Sequence, residues 1–592
     1  MPARDTRHPV AGRLALAFAG AIWAVPFLSP RHLYPIPTFH GELAAGVLGL
    51  AALTVWLVGR GAGRVSLPAS ALLPLFLAGL IAVQLPLGHS VYPEDGIAAV
   101  LLLAWAAAVV WLAAELRGRY GLERLVVVLA WCALAGALAS TAIGLFQHYF
   151  PQAIGRIAMQ RLSPAIYANL GQPNHLAHQL GVGLASLIYL AATRRVSAAR
   201  SVLMATPMVF VWALTQSRSP WLYALGFVTV AVLHRQPGER DGQRRLVVGS
   251  LLLLPGIATA QAAAQLPFLQ SAGHTMMPVD RLFDLASGWS PRIAVWKEAW
   301  KMFAGAPLLG VGFGQFAWHH FLQVSVAAPA VAPGFYDHAH NLLVHLLAEL
   351  GFFAGAAVLI AAFAWIGGVL REPASPERWW VLAIAAVIGI HSMLEYPLWY
   401  AYFLGAAALL AGLADRRRIQ VPRAFPIRLV SAPILIAGWI ACLSLYLDYA
   451  RIEGLTVNSF TTGSSGDRVR DALKGVGGRS LLRPYADLGL AGAEPLNRER
   501  LAEKLERNSR VLRFAPTRDI AYRQVALLAL GGQGEAAQAQ LVRSATYYPG
   551  FLPAFARVLE ELEGTDPAVI GPLLRYSEER LHESGNHAVR PN

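Results

Sequence analysis

The sequence predicts an all-α polytopic membrane protein with roughly 13 transmembrane helices, a large external loop and a soluble helical C-terminal domain. Three observations lead there. Apolar runs of about 20 residues, enough to cross a bilayer, recur from residue 10 to residue 448. The chain is 56% hydrophobic and only 14% charged, with a mean hydropathy of +0.46, which is too apolar for 592 residues in water. Arginine collects in every second loop between the runs, as it does where topology is written by charge. The strand alternation of an outer-membrane barrel is absent.

In chain order the spans are 10–28, 41–59, 69–87, 96–114, 125–147, 174–192, 200–216, 219–233, 246–266, 341–366, 379–393, 400–414 and 429–448. Arg4, Arg7 and Arg13 precede and enter the first run, and no small-residue cleavage site follows, so the first span is expected to be retained. One set of loops holds Arg60 and Arg64; Arg117, Arg119 and Arg124; Arg194, Arg195 and Arg200; Arg235, Arg240, Arg244 and Arg245; Arg371 and Arg378; Arg416, Arg417, Arg418, Arg423 and Arg428. The opposite short loops hold Arg31, Arg156, Arg161 and Arg218. This asymmetry predicts a cytoplasmic N-terminus and, after an odd number of spans, an external C-terminal region.

Residues 1–448 then form the membrane domain, with 267–340 as its large external loop, and 449–592 a separate external domain. Within the loop, Ser290-Pro291 predicts a helix start, and Arg292, Trp296, Ala299, Trp300 and Phe303 at helical spacing predict an amphipathic helix on the membrane surface. Gly310–Phe316 ends it with a glycine-rich turn that lacks the preceding strand of a dinucleotide fingerprint. In the tail, 501–513, 518–530 and 534–547 predict successive helices resembling tetratricopeptide hairpins, with linkers at Ser464–Asp467 and Gly475–Gly478.

The net charge of +14 does not predict nucleic-acid binding, because the arginines sit in membrane loops without interleaved stacking aromatics. Cys132 and Cys442 lie in apolar segments and suit neither a disulfide framework nor a thiolate metal site. No H-E-x-x-H or G-x-S-x-G pattern accompanies the histidines, against a zinc or serine hydrolase.

Four polar clusters open on the external face. Asp337-His338-Ala339-His340-Asn341 enters an apolar helix, and Asn341, His345 and Glu349 share one helical face if that helix starts near His338, while His340 points elsewhere. Gly171-Gln172-Pro173-Asn174-His175 is followed by His178 and Gln179. Pro173 and Asn174 suit capping and turn chemistry, which leaves the other polar groups unexplained. Arg218, between two close spans, reads either as an interfacial anchor or, with Arg292, as a fork for phosphate oxygens. Glu395 stands beside Tyr396, Trp399 and Tyr400, which as aromatics suit a membrane belt whereas the carboxylate does not. Ionisable groups at such places are costly unless they serve a wet cavity.

Gly171–His175, Ser217-Arg218, the run Pro291–Phe316, His338–Asn341 and Glu395–Tyr400 together resemble the membrane glycan ligase and polymerase superfamily of O-antigen ligases, Wzy-type polymerases and bacterial O-oligosaccharyltransferases. The resemblance is strongest to the PglL type of O-oligosaccharyltransferase. It implies a multi-pass protein of the bacterial inner membrane with its active site and C-terminal domain in the periplasm. It also implies transfer of a preassembled glycan from undecaprenyl pyrophosphate to serine or threonine of pilin or another periplasmic protein. Histidine suits the base for that attack, and arginine the leaving pyrophosphate. His340 and His338 are both candidates, with His340 favoured by its place beside Asn341. Arg218 and Arg292 are expected at the pyrophosphate, and Gln172, Asn174, His175, Asn341, Glu395 and Tyr396 at sugar or acceptor. The expected partners are the lipid-linked donor, the acceptor protein and membrane lipids, with no cofactor, metal or nucleic acid. A polymerase, a ligase to lipid A-core and, in another class, a lipid-linked glycan transporter are the alternatives; a transporter requires polar groups at mid-membrane rather than on one face.

Overall fold

Each predicted span coincides with an apolar helix in the computed structural model. The structure describes residues 9–588 except 61–65, 152–157, 161–163, 234–239, 271–284, 324–334, 421–426, 456–466, 477 and 479. Arg4, Arg7, Arg64, Arg156, Arg161, Arg235, Arg423 and the Ser464–Gly466 linker fall outside these residues. Eight described helices are long and apolar enough to cross a membrane, and five shorter apolar helices accompany them. The protein is therefore an all-α, multi-pass membrane protein.

The membrane helices are α1 (Pro9–Ala21), α2 (Phe39–Gly59), α3 (Leu72–Gln84), α4 (Pro93–Tyr120), α5 (Leu122–Tyr149), α6 (Pro173–Ala192), α7 (Ala198–Leu214), α8 (Ser219–Leu233) and α9 (Arg240–Ala263). After α10 (Leu285–Gly305) and α11 (Phe316–Gln323) come α12 (Leu342–Leu370), α13 (Pro376–Leu394), α14 (Ala401–Ala414) and α15 (Ile427–Ile452). Their starts follow local chemistry. Proline opens α4, α6 and α13, where its missing N–H costs nothing, and Ser197, Asn341 and Ser375 cap α7, α12 and α13 through side-chain oxygens. Helix α6 is buried almost throughout and packs against α5, α7, α8, α9 and α13. Trp380 of α13 ties itself to it by donating to Ser186 Oγ at 3.0 Å.

The arginine-bearing loops meet at one end of this bundle. Arg60 pairs with Glu115 at 3.1 Å, Arg195 with Glu123 at 2.7 Å and Arg194 with Asp241 at 3.2 Å. A short antiparallel pair, β1 (Ser66–Pro68) with β2 (Arg418–Gln420), joins two more of them. Such mostly exposed pairs add little stability, but they show that loops assigned to one side by charge share one surface.

Two expectations change. The surface helix begins at Leu285, not at Ser290-Pro291, so a turn is added upstream although Pro291 cannot donate within it. The span expected over 341–366 is interrupted at Gly351, whose φ of 76° is non-helical. A residue with a Cβ there would meet Leu308 O at 2.3 Å, and one at Gly310, φ 69°, would meet Glu349 backbone at 2.2 Å. Only glycine permits this mutual approach of two backbones. The carbonyls freed at the break are met from outside the helix. Val311 N donates to Ala348 O at 2.9 Å, while Gly312 N and Gln84 Nε2 donate to Glu349 O at 3.1 and 2.9 Å.

Beyond α15 follow α16 (Asp467–Lys474), α17 (Arg483–Ala493), α18 (Leu501–Phe514), α19 (Arg518–Leu530), α20 (Gly534–Tyr547), α21 (Leu552–Leu562) and α22 (Pro567–Ala588). The three helices read from the tail sequence are α18, α19 and α20, to within one residue. This region sits on the end of the bundle opposite the basic loops. Tyr92 donates to Asp487 at 2.9 Å, Arg483 pairs with Glu94 at 3.1 Å, and Phe321 of α11 enters a core with Val511, Leu512 and Ile520.

Candidate active site

Glu395, at the C-terminal end of α13, gathers residues from three distant parts of the chain. Its Oε1 accepts from Asn174 Nδ2 of α6 at 2.7 Å and from Arg292 Nη2 of α10 at 3.2 Å. Its Oε2 is buried without a hydrogen-bond partner and lies 3.6 Å from His340 Nε2. The carboxylate is thus held on one side and open on the other.

His340 is fixed from behind. Its φ of 52° lies in the left-handed region, which few non-glycine residues enter, histidine, asparagine and aspartate more readily than the rest. The peptide ahead of it is clamped at both ends, since Ala339 N donates to His345 Nδ1 at 3.3 Å and Ala339 O accepts from Trp296 Nε1 at 2.8 Å. His340 Nδ1 lies 3.1 Å from His338 O; a carbonyl only accepts, so Nδ1 donates, and whenever the ring is neutral its lone pair falls on Nε2. That lone pair points toward Glu395.

His338 is placed differently. Its ring stacks on Tyr396 at 4.0 Å and 7°, and on His345 at 4.8 Å, with Nδ1 2.9 Å from Asp337 Oδ1. Partial desolvation pushes the half-exposed Asp337 carboxyl up, but the charge and hydrogen bond of His338 outweigh it and lower its pKa to about 2. Burial, with the charge of Asp337, pushes the Tyr396 phenol up, so at neutral pH it remains a donor between His338 and His340.

The other predicted residues divide. Asn341 serves α12, accepting from Val344 N at 3.1 Å and donating to Met393 O at 3.3 Å. His175 turns away from Glu395 into the bundle, buried against His391, Tyr400 and Phe403 with its Nδ1 unpartnered. Below it His178 and His391 share a hydrogen bond of 2.8 Å between their Nδ1 atoms. Gln172, half-buried at the N-cap of α6, makes no capping bond. Arg218, half-buried ahead of α8, has no hydrogen bond or ion pair among the described residues. Because Gly226 faces Ala386 and Ile390 while Phe227 O accepts from Trp379, α8 runs antiparallel to α13 and brings Arg218 to the Glu395 end.

Sequence reading missed Gln84. This amide, buried in α3, donates to Leu309 O at 2.6 Å as well as to Glu349 O, and accepts from Phe313 N at 3.0 Å, so it folds the glycine-rich turn against the break in α12. A lone amide inside an apolar run was the available signal. Glu349 completes that support, accepting from Gly314 N at 3.0 Å and Phe316 N at 2.9 Å. No group of three or more metal-binding side chains occurs among the described residues.

Three family profiles match the chain. Residues 202–359 match an O-antigen ligase family, 166–191 a protein glycosylation ligase family, and 379–561 the C-terminal part of virulence-factor membrane-bound polymerases. The chain is 24% identical over 444 residues to the general O-oligosaccharyltransferase of Acinetobacter baylyi, covering 74% of this chain and 76% of that protein. It is 23% identical over 254 residues to the ComP-specific O-oligosaccharyltransferase of the same organism, covering 43% and 44%. Fold and matches together define a multi-pass membrane glycosyltransferase. Within that class, the chain is a relative of the PglL-type O-oligosaccharyltransferases of the O-antigen ligase superfamily.

Proposed function

We propose that this protein transfers a preassembled glycan from undecaprenyl pyrophosphate to a serine or threonine hydroxyl of pilin or another periplasmic protein. The observation that carries the reading is the half-open Glu395 carboxylate facing His340 Nε2. An acceptor hydroxyl placed at Nε2 loses its proton to His340 as its oxygen attacks the anomeric carbon. The imidazolium then meets Glu395 Oε2, the buried acceptor that lacks a partner. The new glycosidic bond forms as the bond to pyrophosphate breaks, so a single displacement inverts the anomeric centre.

Arg218, with no hydrogen bond or ion pair among the described residues, is the guanidinium left to meet the leaving pyrophosphate, and Arg292 divides its donors between Glu395 and that group. Tyr396 and Gln172 bound the space for sugar or acceptor, while Asn174 orients Glu395, Asn341 sets the helix behind His340, and His175 supports the site from below. The bundle sits in the bacterial inner membrane with its thirteen described apolar helices, eight long and five shorter, as spans, N-terminus cytoplasmic. Residues 449–592 form a periplasmic, tetratricopeptide-like domain over the site.

The polymerase match over 379–561 keeps a second reading in view, with a sugar hydroxyl as acceptor. Lipid A-core is the acceptor for a ligase. Co-expression with a lipid-linked glycan and a pilin-like acceptor separates the three. A glycan-sized mass increment on the pilin that requires His340 supports protein transfer. An unmodified pilin with an altered lipopolysaccharide ladder rejects it in favour of ligase or polymerase.

A further inference from the structure

We propose that the basic end of the bundle binds the phosphate of one anionic phospholipid between Arg117 of α4, Arg378 of α13 and Arg416 and Arg418 beyond α14. The cluster is under-neutralised. Glu372 Oε2 serves both Arg378 Nη2 at 2.6 Å and Arg416 Nη1 at 2.8 Å. Arg418 Nη2 donates to Ala114 O at 2.6 Å, one helical turn from Arg117, but its Nη1 is buried without a partner. Arg117 forms no hydrogen bond or ion pair among the described residues, its Nη1 is likewise buried and unpartnered, and the charges of Arg416, Arg378 and Arg418 all oppose its own. Among the described residues, Glu372 is the carboxylate that forms ion pairs within this group, and it reaches two of the four guanidinium groups.

The neighbouring acids are already engaged. Glu115 pairs with Arg60, while Glu377 and Asp415 keep their charge but spend their oxygens on neutral donors, Tyr189 for Glu377 and Ser70 N at 2.7 Å and Arg417 N at 2.9 Å for Asp415, and form no ion pair with these arginines among the described residues. The adjoining segments 61–65 and 421–426 contain no aspartate or glutamate. Unpaired guanidinium donors at a membrane surface suit a multiply accepting anion such as a phosphodiester.

The apolar surroundings choose the source of that phosphate. The part of α12 that runs down to Glu372 turns Ile360, Phe363, Ile366 and Leu370 outward, and Ile419 is exposed beside Arg418. A soluble phosphate gains nothing from that face, whereas acyl chains lie along it while the headgroup reaches the arginines.

The test is native mass spectrometry on the full chain in detergent, titrated separately with phosphatidylglycerol, phosphatidylcholine and inorganic phosphate. One phosphatidylglycerol should be retained where phosphatidylcholine is not. The R117Q/R418Q chain should need roughly 30-fold more of it, from losing two charges near the surface, while R117K/R418K should hold it nearly as well as the native chain. Equal retention of both lipids, or unchanged phosphatidylglycerol affinity in a normally melting R117Q/R418Q chain, overturns the proposal. If that double variant does not fold, Arg416→Gln on its exposed side chain must weaken binding about fivefold, and no weakening overturns it as well. Inorganic phosphate that binds alone and displaces the lipid at equal concentration rejects the lipid source.

Discussion

Glu349 and Glu395 each face a histidine from a buried position, Glu349 at 3.3 Å from His345 and Glu395 at 3.6 Å from His340. Around Glu349 both carboxylate oxygens accept backbone N–H groups and His345 Nδ1 accepts from Ala339 N, so the acceptor atoms of this pair hold turns, while His345 Nε2 is buried without a hydrogen-bond partner. Around Glu395 one oxygen is spent and the other is not, and His340 keeps a lone pair in the gap. The same residue types at nearly the same spacing thus make a brace in one place and leave an unpartnered carboxylate oxygen facing an imidazole in the other. What separates them is the count of satisfied lone pairs.

The sharpest way to break this comparison is to remove each histidine in turn. His340→Ala should lower transfer by roughly 10²–10⁴-fold, the range for a general base, with an unchanged melting temperature in detergent. Comparable transfer by the variant would sink the assignment of the base. Next in size, Glu349→Gln should destabilise the protein by about 2–3 kcal/mol, because an amide offers one acceptor oxygen where two N–H groups need partners. Denaturant or thermal melting checks it, and a normal melt would mean that Glu349 is no brace. Glu395→Gln should do the reverse, losing about 10- to 100-fold in turnover with little change in melting, as a removed orienting carboxylate does. If it melts early and turns over normally, the two glutamates have exchanged roles.

Much of this arrangement was legible beforehand, for physical reasons that vary by element. Spans announce themselves because bilayer thickness fixes their length, and arginine loops because charge is costly to translocate. Helices α18 to α20 follow from proline and glycine punctuation. His340, Arg292, Asn174 and Glu395 were each readable as polar groups at an apolar boundary, and the structure joins all four. Their joining was not readable, since Asn174 and Glu395 are 221 residues apart and only packing brings them to 2.7 Å. The break at Gly351 was hidden for a related reason. A glycine within an apolar run is ordinary, and the demand for φ 76° comes from Leu308 and Gly310 approaching from another segment. Asn341 shows a different ambiguity, because an amide beside a histidine at a membrane mouth reads as ligand chemistry from sequence, and only the structure adds that its oxygen caps Val344 N.

The smallest expected effect distinguishes the two arginines, and it sharpens the contrast between spent and unspent donors. Arg292 already gives Nη2 to Glu395, whereas Arg218 gives nothing to the described protein. If Arg218 meets the pyrophosphate, Arg218→Gln should weaken the donor step, seen as about a tenfold loss of kcat/KM toward the lipid-linked glycan, the scale of one charge-assisted hydrogen bond. The pH dependence of kcat should stay as in the native chain. Arg292→Gln removes positive charge from beside Glu395 and leaves an excess negative charge facing His340, which favours the imidazolium. The lower limb of the kcat profile should therefore move to higher pH, because more protons must leave before His340 can act as base. Equal kcat/KM losses with identical pH profiles would mean that both arginines serve the pyrophosphate and that Glu395 does not depend on Arg292.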